Sequence, residues 1–235
     1  MKLFLDTADV DAIRRASGTG LLDGVTTNPS HVAKVGRVFE DVIKDICGLV
    51  PQHVSVEAMA ADTDGLVQEA RRLSALAPQI VIKIPMTREG LRAVPVLERE
   101  HRIRTNVTMV FSPSQAWLAM KAGASFVSIV LSRLENVGIE SHQLIQDTMT
   151  FKRQYGFASE IIAGSVKTQP TILACLRAGV DIATLPEDLF NQLYRHPLTE
   201  AGLAQFERDW SKVCQEKPSD TSLAQTHDRQ PCQTQ

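Results

Sequence analysis

Residues 78–91 read PQIVIKIPMTREGL, and within them the segment 80–84 is apolar except for one lysine. Such a segment is typical of a parallel strand that is covered on both faces. The residues that follow, 88–100, have a helical pattern. Lysine is almost never fully buried unless it is paired or functional. Lys83 therefore raises the question of whether it serves the fold or a reaction.

The same strand–helix unit recurs along the whole chain. We predict strands at 2–6, 23–27, 53–58, 79–84, 102–108, 125–130, 160–165 and 181–185. Helices are predicted at 9–17, 30–48, 63–76, 88–100, 113–122, 140–155, 169–178 and 187–194. Eight such units in 235 residues predict the α/β class and a single (β/α)8 TIM barrel. An open doubly wound sheet is the alternative, but no G-x-G-x-x-G turn follows the first strand.

The C-terminal part of the chain has a different pattern. A further helix is predicted at 199–213, with Thr199 as its cap, and Leu203, Phe206 and Trp210 recur at helical spacing. This apolar stripe packs either on the barrel's own surface or, as an arm, on a neighbouring subunit. We therefore expect one catalytic domain, 1–213, that includes the arm helix. The polar, aperiodic segment 214–235 is expected to be a disordered tail.

Composition excludes several classes of protein. The net charge is −2 without a basic block, which argues against nucleic acid or an anionic membrane as a partner. No apolar run reaches the ~18 residues of a membrane helix, and the N-terminus does not resemble a signal peptide. The cysteines, Cys47, Cys175, Cys214 and Cys232, are dispersed, which is typical of reduced thiols in a cytoplasmic protein. Without a zinc, Walker or G-x-S-x-G motif, neither a metal nor a cofactor is expected.

Polar residues recur where the predicted strands end. Side chains alternate between the two faces of a strand, and we expect the polar faces to point into the barrel. By this rule Glu57 shares a face with Ser55, and Ser165 shares one with Ala163 and Ile161. The residues at or just beyond the C-terminal strand ends are Asp6, Thr26, Asn28, Glu57, Lys83, Thr108, Val130, Arg133, Ser165 and Lys167. In TIM barrels this rim carries the active site.

Two interpretations of Lys83 follow from this cluster. In one, Lys83 forms a buried ion pair with Glu57 or Asp6 that serves architecture alone. In the other, an apolar wall disfavours the ammonium form, and the free amine forms a Schiff base with a carbonyl substrate. The imine accepts electrons while a neighbouring C–C bond breaks. Glu57 and Asp6 can then carry protons, and Thr108 can hold a water beside one of them.

The remaining polar residues suggest an anionic carbohydrate as the substrate. Arg133 and Lys167 follow the sixth and seventh strands, with Ser165 between them, and could hold a phosphate or another oxyanion. Each cation taken alone could equally be a solvated loop charge. Asn28 and Asn106 are suited to sugar hydroxyls.

Several segments resemble one known family. FLDTADVDAIRRA, DGVTTNPSHVAK, IVIKIPMTREGLRAV, RTNVTMVFSPSQAWLAMKAGASFVS and IIAGSVKT are similar to segments of small-subunit transaldolases, a family that includes fructose-6-phosphate aldolases. The resemblance implies a metal-free class I enzyme that transfers a dihydroxyacetone unit from a ketose phosphate to an aldose phosphate. It also implies a homo-oligomer, often a decamer of pentamer rings, in which the C-terminal helix reaches a neighbour.

The resemblance also implies a role for each site residue. Lys83 matches the Schiff-base lysine, Asp6 the acid and base of C–C cleavage, and Glu57 with Thr108 the pair that binds a catalytic water. The matches to the hydroxyl contacts are Asn28, Asn106 and Ser128, and those to the phosphate site are Arg133, Ser165 and Lys167. A glutamate at Glu57 is the transaldolase residue where the aldolases carry glutamine.

Three positions depart from the family pattern. The sixth strand reads SIVLSR, residues 128–133, where the family resembles S-P-F-x-G-R, so Val130 replaces an aromatic ring and opens space beside the lysine. Ser132 replaces a glycine, and Lys167 replaces an arginine and loses bidentate anion recognition. We therefore hold three alternatives to a standard transaldolase: the same reaction on a sulfo-sugar such as sulfofructose, an aldolase that releases dihydroxyacetone, and a non-catalytic sugar-phosphate sensor.

Overall fold

The computed structural model describes residues 1–215 and shows eight parallel strands that close into a barrel in chain order. The strands are β1 (Lys2–Asp6), β2 (Gly24–Thr26), β3 (Val54–Glu57), β4 (Ile80–Pro85), β5 (Thr105–Val110), β6 (Phe126–Val130), β7 (Glu160–Gly164) and β8 (Ile182–Leu185). Strand β1 pairs with both β2 and β8, which closes the sheet. The predicted (β/α)8 barrel is confirmed, and the open sheet is wrong.

Helices connect the strands of this barrel. They are α1 (Val10–Ser17), α2 (Pro29–Val35), α3 (Phe39–Leu49), α4 (Thr63–Ser74), α5 (Arg88–Pro95), α6 (Pro113–Ala122), α7 (Leu131–Glu135), α8 (His142–Tyr155), α9 (Gln169–Ala178) and α10 (Glu187–Gln192), with a π-helical turn at Val96–Glu100. Helix α6 has the predicted bounds because both of its ends are marked in the sequence. The Ser112 hydroxyl accepts a hydrogen bond from the Gln115 N–H, and Gly123 ends the helix at φ 92°.

Two differences from the prediction change the number of helices in the barrel. The helix expected at 30–48 is in fact α2 and α3, because Gly36 adopts a left-handed φ of 66° that an α-helix does not continue through. Helix α7 was not predicted, since a helix of five residues is too short to show a helical period. It follows β6 directly and carries Arg133, which the prediction placed on a loop.

The lower half of the barrel interior is apolar. Phe4, Val81, Phe126, Ile162 and Ile182 form a buried cluster inside the strands. The His53 ring lies between the Phe4 and Phe126 rings, at centroid distances of 4.7 and 4.5 Å. Gly24 leaves room for this layer, because a Cβ atom there would lie 2.6 Å from the Phe4 ring. Apart from the His53 ring, this layer is apolar, and the predicted site residues lie above it, towards the C-terminal strand ends.

The chain divides into two compact units, residues 1–193 and residues from 194 onwards. In the second, α11 (Pro197–Gln215) begins two residues before the predicted helix. The Thr199 N–H bonds to the His196 carbonyl, so Thr199 lies inside the helix and does not cap it. Leu203, Phe206 and Trp210 are 56%, 71% and 69% exposed. The rest of the predicted tail lies outside the described residues.

None of the helices within residues 1–215 is both long and apolar enough to cross a bilayer.

Candidate active site

A cavity of about 450 Å³ opens where the strands end at their C-terminal side. Parallel strands that close in order bring all eight of these ends to one rim. The cavity is lined by most of the predicted site residues, namely Asp6, Thr26, Asn28, Glu57, Lys83, Thr108, Ser128, Val130, Arg133 and Ser165. Asn106 and Lys167 are not among its lining residues. Within residues 1–215, no group of His, Cys, Asp and Glu side chains is arranged to hold a metal ion.

Lys83 lies in this cavity without a carboxylate partner. The residue is 8% exposed, and its Nζ donates a 2.9 Å hydrogen bond to the Thr27 carbonyl oxygen. Among the described residues, no carboxylate oxygen lies within 4.0 Å of Nζ. The ion pair with Glu57 or Asp6 that was one interpretation of the sequence is therefore not formed. A buried amine held by one carbonyl, at a cavity wall, suits reaction with a carbonyl substrate.

Glu57 lies on the strand beside Lys83. The two residues are register partners across β3 and β4, and both side chains line the cavity. Burial raises the pKa of the Glu57 carboxyl, and the positive charges of Lys83 and Arg133 oppose that rise. The carboxyl therefore holds its proton to a higher pH than an exposed glutamate does. A carboxyl whose pKa is raised in this way is better suited than an exposed glutamate to donate a proton in a reaction.

Asp6, at the end of β1, also lines the cavity and is oriented by hydrogen bonds that run through two threonines. The Thr26 hydroxyl donates a 2.9 Å hydrogen bond to Asp6 Oδ1, and it lies 2.6 Å from the Thr184 hydroxyl. Because Thr26 uses its only hydroxyl hydrogen on Asp6, Thr184 is the donor in its bond to Thr26. These two hydrogen bonds in series fix the orientation of the Asp6 carboxylate. Thr184 was missed in the sequence, although alternation places it on the inner face with Ile182.

Two residues on the cavity wall have a left-handed backbone. Met109 has φ 62° where the register between β5 and β6 shifts, and Ser165 has φ 55° directly after β7. Non-glycine residues rarely adopt this region, and such strain clusters at functional sites. The prediction that Ser165 shares an inward face with Ala163 and Ile161 was wrong. Ile162 points into the barrel, whereas Ile161 and Ala163 pack in the core outside it. Ser165 reaches the cavity only because its backbone turns after the strand.

Asn106 lies beneath the cavity and not on its wall. It is fully buried, its Nδ2 donates to Ser55 Oγ at 3.1 Å, and its Oδ1 accepts from Ser128 Oγ at 2.8 Å. Ser55 continues this network to His53 Nε2 at 2.7 Å. Burial lowers the pKa of His53 to about 3, so this imidazole is neutral. Asn106 therefore supports Ser128 from below, where the sequence suggested a direct contact with a hydroxyl.

The expected anion-binding residues are spread along the rim. Arg133 on α7 and Ser165 line the cavity, as does Val130 at the end of β6. Lys167 is exposed beyond β7 and is not a lining residue. The prediction that Val130 points into the site agrees with this arrangement.

The further lining residues that were missed in the sequence include two with titratable side chains, His31 and Lys34 of helix α2. The sequence could have indicated both residues, because they lie in the first turns of a helix that begins directly after β2. Asn28 caps this helix by accepting the His31 N–H, so its side chain is used in the fold as well as on the cavity.

Comparison with known proteins assigns the chain to a family. The sequence profile described as Transaldolase/Fructose-6-phosphate aldolase matches residues 3–224. The chain belongs to this transaldolase/fructose-6-phosphate aldolase family. It is 48% identical over 213 residues to a "Probable transaldolase" of Hydrogenobaculum sp., covering 91% of this chain and 98% of that protein. It is 49% identical over 218 residues to one of Aquifex aeolicus, covering 93% of this chain and all of that protein.

A solved structure supports the fold alone. The thiamine phosphate pyrophosphorylase of Pyrococcus furiosus superposes with a TM-score of 0.53 at 12% identity, covering 78% of this chain and 85% of that one. The family relationship thus rests on sequence, and it makes the chain an enzyme of the transaldolase and aldolase kind.

Proposed function

We propose that this chain transfers a dihydroxyacetone unit from a ketose phosphate, of the fructose 6-phosphate or sedoheptulose 7-phosphate type, to an aldose phosphate. A Schiff base on Lys83 carries the unit. The observation that bears most on this proposal is the buried Lys83 amine, which has no carboxylate partner and lines a cavity together with two carboxylates. The relatives' name, probable transaldolase, supports the same type of reaction.

The proposed reaction begins when the Lys83 amine adds to the ketose carbonyl and water leaves from the carbinolamine. Glu57 protonates the departing hydroxyl through a water held beside Thr108, and an imine forms. The raised pKa of Glu57 suits it to this role, since burial favours the protonated form of the carboxyl. In the C–C cleavage that follows, the protonated imine nitrogen accepts the electrons, so the cleavage needs no metal ion.

Asp6 carries the proton of the C–C cleavage step in this proposal. Its carboxylate removes the proton of the substrate's C4 hydroxyl, the C3–C4 bond breaks, and its electron pair moves into the imine to give an enamine. The released aldehyde leaves, and the enamine carbon attacks an acceptor aldehyde, whose oxygen takes the proton back from Asp6. Thr26 and Thr184 hold the carboxylate in one orientation for both transfers.

Arg133, Ser165 and Lys167 are proposed to bind the anionic group of the sugar, and Asn28 and Ser128 its hydroxyls. A sulfonate is a tetrahedral oxyanion like a phosphate, so sulfofructose is a candidate donor. The second candidate reaction is simple cleavage with release of dihydroxyacetone. The small Val130 side chain on the cavity wall favours it, because space beside Lys83 can admit water, which protonates the enamine carbon and then hydrolyses the resulting imine to release dihydroxyacetone.

We also propose that the enzyme works as a homo-oligomer in the cytoplasm, in pentose phosphate metabolism, with α11 as the contact arm and a decamer as the assembly. The exposed Leu203, Phe206 and Trp210 support an intermolecular contact. The free thiols of Cys47 and Cys175 are buried within the described residues, as in a protein of a reducing compartment.

The test is borohydride reduction in the presence of fructose 6-phosphate, followed by mass spectrometry of the intact protein. The wild type is expected to gain one covalent adduct, and Lys83→Ala to gain none. Lys44→Ala, an exposed lysine on α3, is the matched control and should behave as the wild type. An unmodified wild type would contradict the Schiff-base mechanism. Product analysis with and without erythrose 4-phosphate separates transfer from cleavage.

A further inference from the structure

His31 lies on the cavity wall, in the first turn of helix α2. Its backbone N–H is bonded to Asn28 Oδ1 at 2.9 Å, which fixes the first turn of the helix directly after β2. The His31 side chain is 25% exposed and lines both the active-site cavity and an adjoining cavity of about 540 Å³. None of the reaction steps above uses this imidazole.

The hydrogen bonds around His31 determine its tautomer. Because Asn28 Oδ1 accepts the backbone N–H, the amide nitrogen of Asn28 faces His31 Nδ1, at 3.3 Å. An amide nitrogen can only donate, so Nδ1 is the acceptor and Nε2 carries the proton. Asp6 Oδ1, at 3.8 Å, lies on the Nδ1 side and beyond hydrogen-bonding distance. The Nε2–H donor has no partner among residues 1–215.

The charges around this donor indicate the kind of ligand. Lys34 follows one turn later on the same helix, and both Lys34 and Arg133 line the cavity. Burial lowers the pKa of His31, and the charges of Lys83, Lys34 and Lys167 lower it further, while that of Asp6 opposes them. The imidazole is therefore a neutral donor in a positive field. Such a site complements an oxyanion that accepts hydrogen bonds.

We propose that His31 is a specificity-determining residue, whose Nε2–H binds the tetrahedral oxyanion, phosphate or sulfonate, of the substrate, with Lys34 beside it. The proposal rests on the proposed function, because it names the substrate group that the same cavity holds. His31 adds a directional hydrogen bond to the point charges of the lysines. This bond supplies a preferred geometry that Lys34, and the charge of Lys167 beyond the cavity wall, cannot supply, because a lysine does not bind an oxyanion bidentately.

The test compares His31→Leu with His31→Gln. Leucine removes the donor, whereas the glutamine amide nitrogen can reach the position of Nε2 and donate. Half-saturation of borohydride trapping at Lys83 is measured for fructose 6-phosphate, sulfofructose and dihydroxyacetone, the last of which has no oxyanion. We expect His31→Leu to raise the half-saturation value of an anionic ketose about tenfold relative to that of dihydroxyacetone. His31→Gln should restore most of that ratio. Whichever ketose shows the larger change carries the preferred oxyanion.

The control is His142→Leu, an exposed histidine at the start of α8, which should leave the ratio unchanged. An unchanged ratio in His31→Leu would overturn the proposal. An equal rise in the half-saturation values of all three ketoses would also overturn the proposal, since it would mean that His31 acts through Asp6 or the fold.

A second measurement does not depend on catalysis. The imidazole resonances of His31, assigned by their loss in His31→Gln, are followed by NMR during titration with inorganic phosphate and with methanesulfonate. A saturable shift supports the proposal, and no shift overturns it. If the wild type traps no ketose at all, the proposed function fails, and the titration still decides whether His31 binds an oxyanion.

Discussion

Replacement of Glu57 by glutamine should affect activity and stability in opposite directions. Glutamine keeps the size of the side chain and its polar end but cannot transfer a proton. Proton transfer by a positioned side chain typically contributes 10²–10⁴-fold to a rate. We expect Glu57→Gln to lower the rate of imine formation at Lys83 by roughly 10²–10³-fold, equivalent to about 3–4 kcal/mol of activation free energy.

The stability change follows from the raised pKa of Glu57. Burial is the main cause of that rise, and Lys83 and Arg133 only partly oppose it. The folded state therefore binds this proton more tightly than the unfolded chain does. Its contribution to stability is fully present below the unfolded pKa and is lost as pH rises through the folded pKa. At about pH 8 the ionised carboxylate thus costs folding free energy, which the neutral amide does not.

The expected gain is on the order of 1 kcal/mol, as for other stabilising changes at functional sites. In a chain of this length that raises Tm by about 2–4 °C. Thermal unfolding would be recorded by circular dichroism at about pH 4 and pH 8, and the Tm difference between variant and wild type should grow with pH. Glu140→Gln, an exposed glutamate, is the matched control. A Tm that falls equally at both pH values would refute the reasoning from burial.

Three further predictions test the packing and the assembly. Val130→Phe should lower the ratio of acceptor-free cleavage to transfer of fructose 6-phosphate roughly threefold, because the ring excludes water near Lys83. Chromatography of the products measures this ratio. Gly24→Ala should lower the free energy of unfolding by about 1–3 kcal/mol, because its Cβ would lie 2.6 Å from the Phe4 ring. The control Gly48→Ala, where a Cβ meets open space, should leave the free energy of unfolding unchanged, and thermal melts compare the two variants. Trp210→Ser should raise the dissociation constant of the oligomer roughly 30-fold, measured by light scattering on dilution. If the variant keeps the molar mass of the wild type at every dilution, α11 is excluded as the contact.

Local signals in the sequence were sufficient for most of the barrel. Helices α6 and α9 have the predicted bounds because each begins at a Ser or Thr cap followed by proline and ends at a left-handed glycine. The single helix expected at 30–48 was wrong, since a glycine within a helical pattern can be tolerated or can end the helix. Helix α7 was missed because five residues are too few to show a period.

The positions of the strands along the chain and the place of Lys83 near the end of one of them followed from the sequence by itself, because apolar periodicity and alternation are local properties of a strand. Only the tertiary structure decided that Lys83 bonds to the Thr27 carbonyl, that Thr184 supports Asp6, and that Asn106 lies beneath the cavity. Alternation determines the face on which a side chain lies and its height along its own strand. Distances to other strands depend on how the barrel closes and on local turns such as that at Ser165, and no single segment encodes them.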